Sequence, residues 1–170
     1  MSLIALEGMR FYANHGFYEE EQIIGGWYTV DVYLTTNFTA AAREDDLNGT
    51  LNYETIYLIT KFQMAQNSKL LEHIAHRIAD ELKHKYTDIQ QLRVKITKHA
   101  PPLGGNVERA IVEYNEDFQK KCAKCSKPLL CYNDKNCWCK NIRLSPEISR
   151  MLQTQYNGCM CKTCLKGYGV

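Results

Sequence analysis

The sequence has 170 residues, enough for one ordinary domain or for a domain of about 120 residues with a small appendage. Its composition changes near residue 118, because all eight cysteines lie between Cys122 and Cys164. Residues 1–118 carry 11 Lys and Arg against 17 Asp and Glu, a net charge of −6, whereas residues 119–170 carry 10 against 2, a net charge of +8. The overall charge of +2 therefore conceals two unlike parts, and we predict one module over 1–118 and a cysteine-rich module over 119–170.

Several classes of protein are excluded at this stage. No apolar run approaches the roughly 20 residues needed to cross a bilayer, and the first residues lack the basic and then apolar pattern of a signal peptide. A hydrophobic content of 45% argues against disorder. We therefore expect a soluble, cytoplasmic protein without a membrane partner, whose thiols stay reduced, so that clustered cysteines indicate metal before disulfides.

The first half of the first module predicts a hairpin followed by a helix. Residues 2–13 favour a strand that closes at the turn signal Asn14-His15-Gly16. After an acidic stretch, residues 27–38 alternate apolar and polar side chains, which predicts a second strand with one buried face. Asn52 is a suitable N-cap for a helix over 53–65.

The second half predicts another helix and two more strands. Apolar residues recur at helical spacing over 71–82 and alternate over 92–96. Two prolines place residues 100–105 in a loop, and a fourth strand follows over 107–114. The order β-β-α-α-β-β predicts an α+β fold with two helices on one face of a small antiparallel sheet. Since such a sheet has two exposed edges and one uncovered face, we expect the domain to oligomerise.

Four polar residues at the ends of these elements are candidate site residues. The sequence has no nucleotide-binding glycine motif, phosphate-binding loop, metalloprotease motif or nucleophile elbow. Taken singly, each candidate has an ordinary explanation: Glu21 belongs to an acidic run, and Glu72 complements a helix dipole. Tyr53 fits a half-buried aromatic side chain, and Lys98 ends a strand before a loop. Only their combination suggests a reaction.

The stretches that contain these residues follow one another at a specific spacing. They are Leu6-Glu7-Gly8-Met9-Arg10-Phe11-Tyr12, His15-Gly16, Glu21, Ile24-Gly25, Asp45-Asp46-Leu47, Thr50-Leu51-Asn52-Tyr53, Leu70-Leu71-Glu72-His73-Ile74-Ala75, Val94-Lys95-Ile96-Thr97-Lys98 and Pro101-Pro102. Together they resemble the dihydroneopterin aldolase family of folate biosynthesis, over about residues 3–116. No single stretch is diagnostic, but their order and spacing across about 110 residues make a strong match.

The resemblance implies the tunnelling fold, in which subunits join four-stranded antiparallel sheets into a barrel. The assembly would be a tetramer or an octamer with active sites between adjacent subunits. The implied reaction is retro-aldol cleavage of 7,8-dihydroneopterin into 6-hydroxymethyl-7,8-dihydropterin and glycolaldehyde, with epimerase activity in many members. The dihydropterin ring has a C=N bond beside the breaking bond, so the ring accepts the electron pair and no catalytic cofactor is expected.

The resemblance also implies a role for each candidate residue. Lys98 matches the catalytic lysine that transfers protons at the substrate side chain, and Tyr53 matches a tyrosine contributed by the neighbouring subunit. Glu21 matches a glutamate near the lysine and the substrate hydroxyls. The remaining matches concern the pterin ring: they are the carboxylate of Glu72, which would accept paired hydrogen bonds, and backbone groups near Leu51 and Leu71.

One stretch departs from the family pattern. The loop after Lys98 usually reads close to Pro-Pro-Ile-Pro-Gly, but here it reads Pro101-Pro102-Leu103-Gly104-Gly105. Glycine in place of a proline should loosen this loop. His15 fits a turn or packing histidine better than a catalyst.

The cysteine-rich module contains two clusters separated by a predicted helix. Ser145 and Pro146 suit the start of this helix, and its apolar stripe consists of Ile148, Met151, Leu152 and Tyr156. The module resembles the small cysteine-rich CWC family, over about residues 122–165, which implies a metal module of unassigned role. Eight cysteines suit up to two tetrahedral zinc sites. The predicted metal ligands are Cys122, Cys125, Cys131, Cys137, Cys139, Cys159, Cys161 and Cys164.

Other interpretations of the chain remain open. Four disulfides, an iron–sulfur cluster or a partly disordered tail are the alternatives to zinc. The alternatives to an aldolase are a pterin-binding protein whose basic zinc module contacts nucleic acid or protein, and an epimerase of dihydroneopterin triphosphate. A nucleic-acid partner is disfavoured because the tail lysines are spread along the chain rather than clustered with aromatic residues.

Overall fold

A computed structural model describes residues 2–132 and 137–168. Its contacts divide the chain into a first unit, Met1–Asp117, and a second unit, Phe118–Val170. We call them the N-terminal unit and the cysteine-rich unit. In the part of the chain that is described, no helix is both long and apolar enough to cross a membrane.

The N-terminal unit is built on a four-stranded antiparallel sheet. Its strands are β1 (Ser2–Ala13), β2 (Gly26–Thr36), β3 (Gln91–His99) and β4 (Arg109–Asp117), and they lie in the order β1-β2-β3-β4. Strand β2 pairs with β1 and β3, and β3 pairs with β4, each time antiparallel. The predicted α+β fold with its initial hairpin is confirmed. The fourth strand begins two residues later, and ends three residues later, than the alternation predicted.

Two long helices lie between the two hairpins. They are α3 (Tyr53–Met64) and α4 (Leu71–Lys85), preceded by the short helices α1 (Glu19–Ile24) and α2 (Thr39–Glu44), which the sequence analysis did not predict. Asn52 caps α3, since its side-chain oxygen accepts hydrogen bonds from Glu54 N at 2.8 Å and Thr55 N at 3.4 Å. The apolar stripe of α4 is fully buried from Ile74 to Leu82. Helix α4 contacts β3 and β4, while α3 contacts β1 and α4.

Strand β2 departs from simple alternation at Asp31. The alternation places Asp31 on the polar face of the strand, but its side chain is buried. The cause is a register shift in β1 between Leu6 and Met9. Gly8 adopts a φ of 72° there, and its N–H donates to Asp31 Oδ1 at 2.7 Å. Lys95 on β3 lies 3.5 Å from the other carboxylate oxygen. The buried carboxylate is thus paired on both sides.

The cysteine-rich unit contains a short hairpin and two helices. They are β5 (Gln119–Lys121), β6 (Pro128–Leu130), α5 (Pro146–Gln155) and α6 (Lys162–Lys166), with a 3₁₀ turn over Trp138–Asn141. The predicted N-cap of α5 is confirmed, because Ser145 Oγ accepts from Ile148 N at 3.3 Å. Met151 was predicted on the apolar stripe of α5 but is 44% exposed, whereas Leu152 is buried. The buried cluster of this unit is small: Cys122, Leu152, Met160 and Leu165.

Candidate active site and metal centre

Lys98 and Glu21 form an ion pair at one end of the sheet of the N-terminal unit. Lys98 is the penultimate residue of β3, and its Nζ donates a hydrogen bond to Glu21 Oε1 on α1. Each side chain is 13% exposed, so the pair is largely removed from water without being sealed. The second oxygen of Glu21 accepts from Tyr18 N at 3.1 Å. Burial raises the pKa of Glu21, but the hydrogen bonds from Lys98 and Tyr18 outweigh it, and the pKa lies below its usual value.

Glycine at position 16 makes this position of the Glu21 side chain possible. A Cβ on Gly16 would lie 2.4 Å from Glu21 Cβ and 2.5 Å from Glu21 Oε2, so only glycine allows the carboxylate to lie against the backbone here. A hydrogen bond also joins this turn to α1, because Asn14 Nδ2 donates to the carbonyl of Gln22 at 2.9 Å. Helix α1 is therefore held in place by the turn that precedes it.

The ion pair lines a cavity of about 220 Å³. The cavity wall also contains Tyr28, which lies opposite Lys98 on β2, and Pro102 from the loop between β3 and β4. The arrangement places an amine and a carboxylate, which can exchange a proton, beside a space that a small molecule can enter.

His15 lies at the buried side of this cavity and is 1% exposed. Its Nδ1 accepts a hydrogen bond from Ser68 N at 3.3 Å, while Nε2 is buried without a hydrogen-bond partner among the described residues. Burial and the positive charges of Arg77 and Lys98 lower the pKa of His15 from 6.5 to about 4. The imidazole is therefore neutral near pH 7, as a packing histidine should be.

Tyr53 and Leu51 lie in a different cavity of the same unit. Tyr53 is the first residue of α3 and is 65% exposed, whereas Leu51 is buried. Both line a cavity of about 380 Å³ together with Asp45 and Asp46. Among the described residues, the wall of the Lys98 cavity does not include them. A single chain thus brings Lys98 and Glu21 together but keeps Tyr53 and Leu51 apart from them.

Glu72 and Leu71 occupy the first turn of α4. Glu72 is exposed and Leu71 is partly buried. The chain just before this turn is tied to the floor of the Lys98 cavity, because Gly16 N donates to the carbonyl of Ser68 at 3.0 Å and Ser68 N donates to His15. The helix dipole stabilises a carboxylate at a helix N-terminus, and the exposed side chain of Glu72 is accessible to a ligand.

The cysteine-rich unit contains a candidate metal centre. The sulfur atoms of Cys122, Cys125, Cys161 and Cys164 all lie within 4.8 Å of one another. The backbone N–H of Cys161 donates to Cys122 Sγ at 3.2 Å, a contact that suits a thiolate ligand. Four thiols at this spacing match the donor set that zinc prefers. This grouping differs from the two clusters along the sequence, because the group of four takes two members from each cluster.

Comparison with known proteins addresses the N-terminal unit. The family model for FolB, dihydroneopterin aldolase, matches residues 4–115. The chain belongs to the dihydroneopterin aldolase family. It is 36% identical over 112 residues to a dihydroneopterin aldolase of Staphylococcus epidermidis, which covers 65% of this chain and 93% of the relative. It is 34% identical over 114 residues to the Bacillus subtilis enzyme, which covers 66% and 95%.

A solved structure of this family has the same fold. The dihydroneopterin aldolase of Escherichia coli, crystallised with neopterin, superposes with a TM-score of 0.59 over 67% of this chain and 99% of that chain, at 24% identity. The aldolase-family match ends at residue 115, before the first cysteine. The resemblance of the cysteine-rich unit to the CWC family therefore stays a prediction.

Two features of the candidate site were not predicted from individual residues of the sequence. One is the contact of Gly16 with Glu21, and the other is the link from His15 to the start of α4. Both belong to the stretch His15-Gly16, which was interpreted as a turn with a packing histidine and as one stretch of the family pattern. Its place in the family pattern was the available signal.

Proposed function

We propose that this protein is a dihydroneopterin aldolase that cleaves 7,8-dihydroneopterin into 6-hydroxymethyl-7,8-dihydropterin and glycolaldehyde. The observation that carries the proposal is the Lys98–Glu21 pair beside a cavity, in a chain that belongs to this family. The substrate ring has its own C=N bond next to the bond that breaks, so it accepts the electron pair. The protein must therefore bind the pterin and move protons.

The proton movements fit the Lys98–Glu21 pair. The amine of Lys98 accepts the proton of the side-chain hydroxyl, so that the carbon–carbon bond breaks, releases glycolaldehyde and leaves an enol-like dihydropterin. Lys98, as an ammonium group, then donates a proton to the carbon that lost its partner. Glu21 holds the lysine in position and accepts hydrogen bonds from the substrate hydroxyls. Re-addition of the enol-like carbon to the opposite face of the glycolaldehyde carbonyl, before glycolaldehyde leaves, would account for epimerisation.

The pterin ring is assigned to the region of Glu72. A carboxylate can accept two parallel hydrogen bonds from the 2-amino group and N3 of the ring, as it does from a guanidinium. Backbone groups near Leu71 of the same chain complete the slot, together with those near Leu51 of the neighbouring subunit, since Leu51 lines the cavity of Tyr53. Because Leu71 and Glu72 follow Ser68, which is tied to His15 and Gly16, the ring and the reacting side chain bind on one side of the unit.

The site is completed by a second copy of the chain. Tyr53 is exposed at the start of α3 and lines a cavity separate from that of Lys98, so the tyrosine that assists proton transfer comes from a neighbouring subunit. Strands β1 and β4 form the two edges of the sheet, and joining such edges closes a barrel of the tetrameric or octameric kind.

Mixing two inactive variants tests this division directly. Lys98→Ala and Tyr53→Phe should each lose turnover, and unfolding and refolding them together at equal amounts should restore about one quarter of the sites. Each restored site combines an intact lysine from one chain with an intact tyrosine from the other. Mixtures that stay inactive, although they form mixed oligomers by native mass spectrometry, would place both residues in one subunit's site.

The cysteine-rich unit has a structural role in this proposal. Cys122, Cys125, Cys161 and Cys164 bind one zinc ion, which stabilises the unit and takes no part in the cleavage. Reduced thiols of this kind imply a cytoplasmic location.

The first experiment follows both pterin products by chromatography, with and without EDTA. Formation of 6-hydroxymethyl-7,8-dihydropterin that survives chelation supports the aldolase without a catalytic metal, and dihydromonapterin in the same run reports epimerisation. Absence of turnover in a folded protein that binds the pterin would overturn the aldolase and leave a binding protein.

A further inference from the structure

The four cysteines outside the first metal centre form two contacting pairs that line the same cavity. Cys131 Sγ is 3.0 Å from Cys159 Sγ, and Cys139 Sγ is 3.3 Å from Cys137 Sγ. All four line one cavity of about 260 Å³, whose wall also contains Trp138. We propose that they bind a second zinc ion, so that the unit holds two ions with separate sets of four thiolates. This inference rests on the zinc-binding role proposed above.

The distances suit zinc ligands better than disulfides. Sulfur atoms around a tetrahedral zinc ion, at about 2.3 Å from the metal, lie roughly 3.8 Å apart. Cys125 and Cys161 of the first centre are 3.7 Å apart, and the pairs at 3.0 and 3.3 Å need to separate by less than 1 Å. A disulfide would instead require about 2.05 Å between the sulfurs. In the described part of the chain, no disulfide joins any of the eight cysteines.

The two sets are nested along the chain. We call Cys122, Cys125, Cys161 and Cys164 the outer site, and Cys131, Cys137, Cys139 and Cys159 the inner site. Both sites join the chain before α5 to the chain after it. The outer site spans 36 residues between Cys125 and Cys161, and the inner site spans 28 residues between Cys131 and Cys159. Each ion therefore closes a long loop, and neither site is formed by one sequence cluster.

Two motifs of identical spacing have different functions in this arrangement. Cys137 and Cys139 contact each other and bind the same ion. Cys159 contacts Cys131, whereas Cys161 contacts Cys125, so the second Cys-x-Cys motif contributes one thiolate to each ion. Met160, between them, is buried in the small apolar cluster. The segment 159–161 thus connects the two metal centres through the core of the unit.

Charge is compatible with two ions. Residues 119–170 carry a net charge of +8 from their lysines, arginines and acidic residues. Eight thiolates and two Zn²⁺ together add −4, which leaves the unit at about +4. The many lysines of the unit therefore offset the charge of two ZnS₄ centres.

The test compares the two Cys-x-Cys motifs in the full chain, purified under reducing conditions. Native mass spectrometry should find two zinc ions per chain in the wild type. The double variant Cys137→Ser, Cys139→Ser should retain one ion, and the matched double variant Cys159→Ser, Cys161→Ser should retain none. One ion retained in both variants would overturn the nested assignment.

A measurement on the unmodified protein covers the case in which both variants unfold their cysteine-rich unit. Crystals of the wild-type chain, measured at the zinc absorption edge, should show two anomalous peaks per subunit with the two ligand sets given above. One peak overturns the inner site alone, and none overturns zinc binding altogether. Cleavage of 7,8-dihydroneopterin, assayed on the same sample, reports separately on the proposed aldolase.

Discussion

The two units of this chain are stabilised by different means. In the N-terminal unit, side chains from the sheet and from α4, such as Val30, Ile78 and Ile96, are completely buried. Among the described residues of the cysteine-rich unit, the core cluster has four buried members, and one of them is Cys122. A segment of about 50 residues with so small an apolar core seldom folds without a crosslink or a metal. One chain therefore combines a unit that is stabilised by packing of apolar side chains with a unit that depends on its thiols.

Removal of the metal should have the largest effect, and it should unfold one unit while leaving the other folded. Structural zinc contributes about 10–16 kcal/mol to small domains of this kind, so a strong chelator should unfold the cysteine-rich unit completely. The N-terminal unit should keep its fold, because none of the cysteines lies in it. Hydrogen exchange measured by mass spectrometry should show full loss of protection beyond residue 118 and unchanged protection in β2, β3 and α4. Loss of protection in both units would show that the N-terminal unit also depends on the metal, contrary to this prediction.

Substitution of Lys98 should be the next largest effect, and it concerns the reaction alone. Lys98→Ala should lower kcat by about 10²–10⁴, the usual contribution of a positioned proton donor. Lys95→Ala is the matched control, since Lys95 lies on the same strand and pairs with Asp31 at 3.5 Å, away from the cavity wall. Steady-state kinetics of both variants, with oligomer size as a check on folding, decide the outcome. If Lys98→Ala keeps the same kcat as an active Lys95→Ala variant, Lys98 has no part in the mechanism.

The buried His15 should make the stability of the N-terminal unit depend on pH. Its pKa is about 4 in the folded chain and about 6.5 when unfolded, so the unfolded chain binds more protons between these values. The free energy of unfolding should be at its plateau above about pH 6.5 and fall by up to roughly 3 kcal/mol as the pH drops to 4. In His15→Gln this part of the dependence should vanish, whereas in His84→Gln, on the exposed end of α4, it should remain. Urea unfolding at one protein concentration between pH 7 and 4.5 measures the difference.

Replacement of Glu72 should have the smallest effect of the four and should act on binding. Glu72→Gln keeps the size of the side chain but removes the charge that strengthens two hydrogen bonds to the pterin. A loss of about 1.5–3 kcal/mol is expected, or roughly 10-fold to 150-fold weaker binding. Glu54→Gln, in the first turn of α3, is the control at an equivalent helix position. Fluorescence titration with neopterin gives both dissociation constants, and an unchanged value for Glu72→Gln would move the pterin slot elsewhere.

Much of the fold followed from local patterns. The alternation of Val30, Val32 and Leu34 predicted a buried strand face, and the stripe from Leu71 to Leu82 predicted a helix, because burial on one side imposes a period of two or of 3.6 residues. Helix α1 was missed because its six residues are too few to show a period, although three glutamates in its first turn suit a helix N-terminus. Asp31 was missed because its burial depends on a bulge in another strand.

The site was less predictable from local patterns than the fold. Lys98 and Glu21 are 77 residues apart, and nothing in either neighbourhood indicates the other. Their pairing depends on the sheet and on the glycine at 16, so only the family resemblance suggested it. The metal ligands show the same limitation, because clusters along the chain do not reveal which thiols meet in space. Contacts between distant residues are a property of the assembled fold.

The nested order of the thiol contacts has a consequence for synthesis on the ribosome. The N-terminal unit is complete once residue 117 has left the exit tunnel, so it can fold while the rest is still being translated. Cys125 and Cys131, by contrast, wait for Cys161 and Cys159, which are translated after α5. During that interval the thiols of Cys125 and Cys131 lack these neighbours. The contacts that join the two halves of the cysteine-rich unit can therefore form only after the segment 159–161 has been translated.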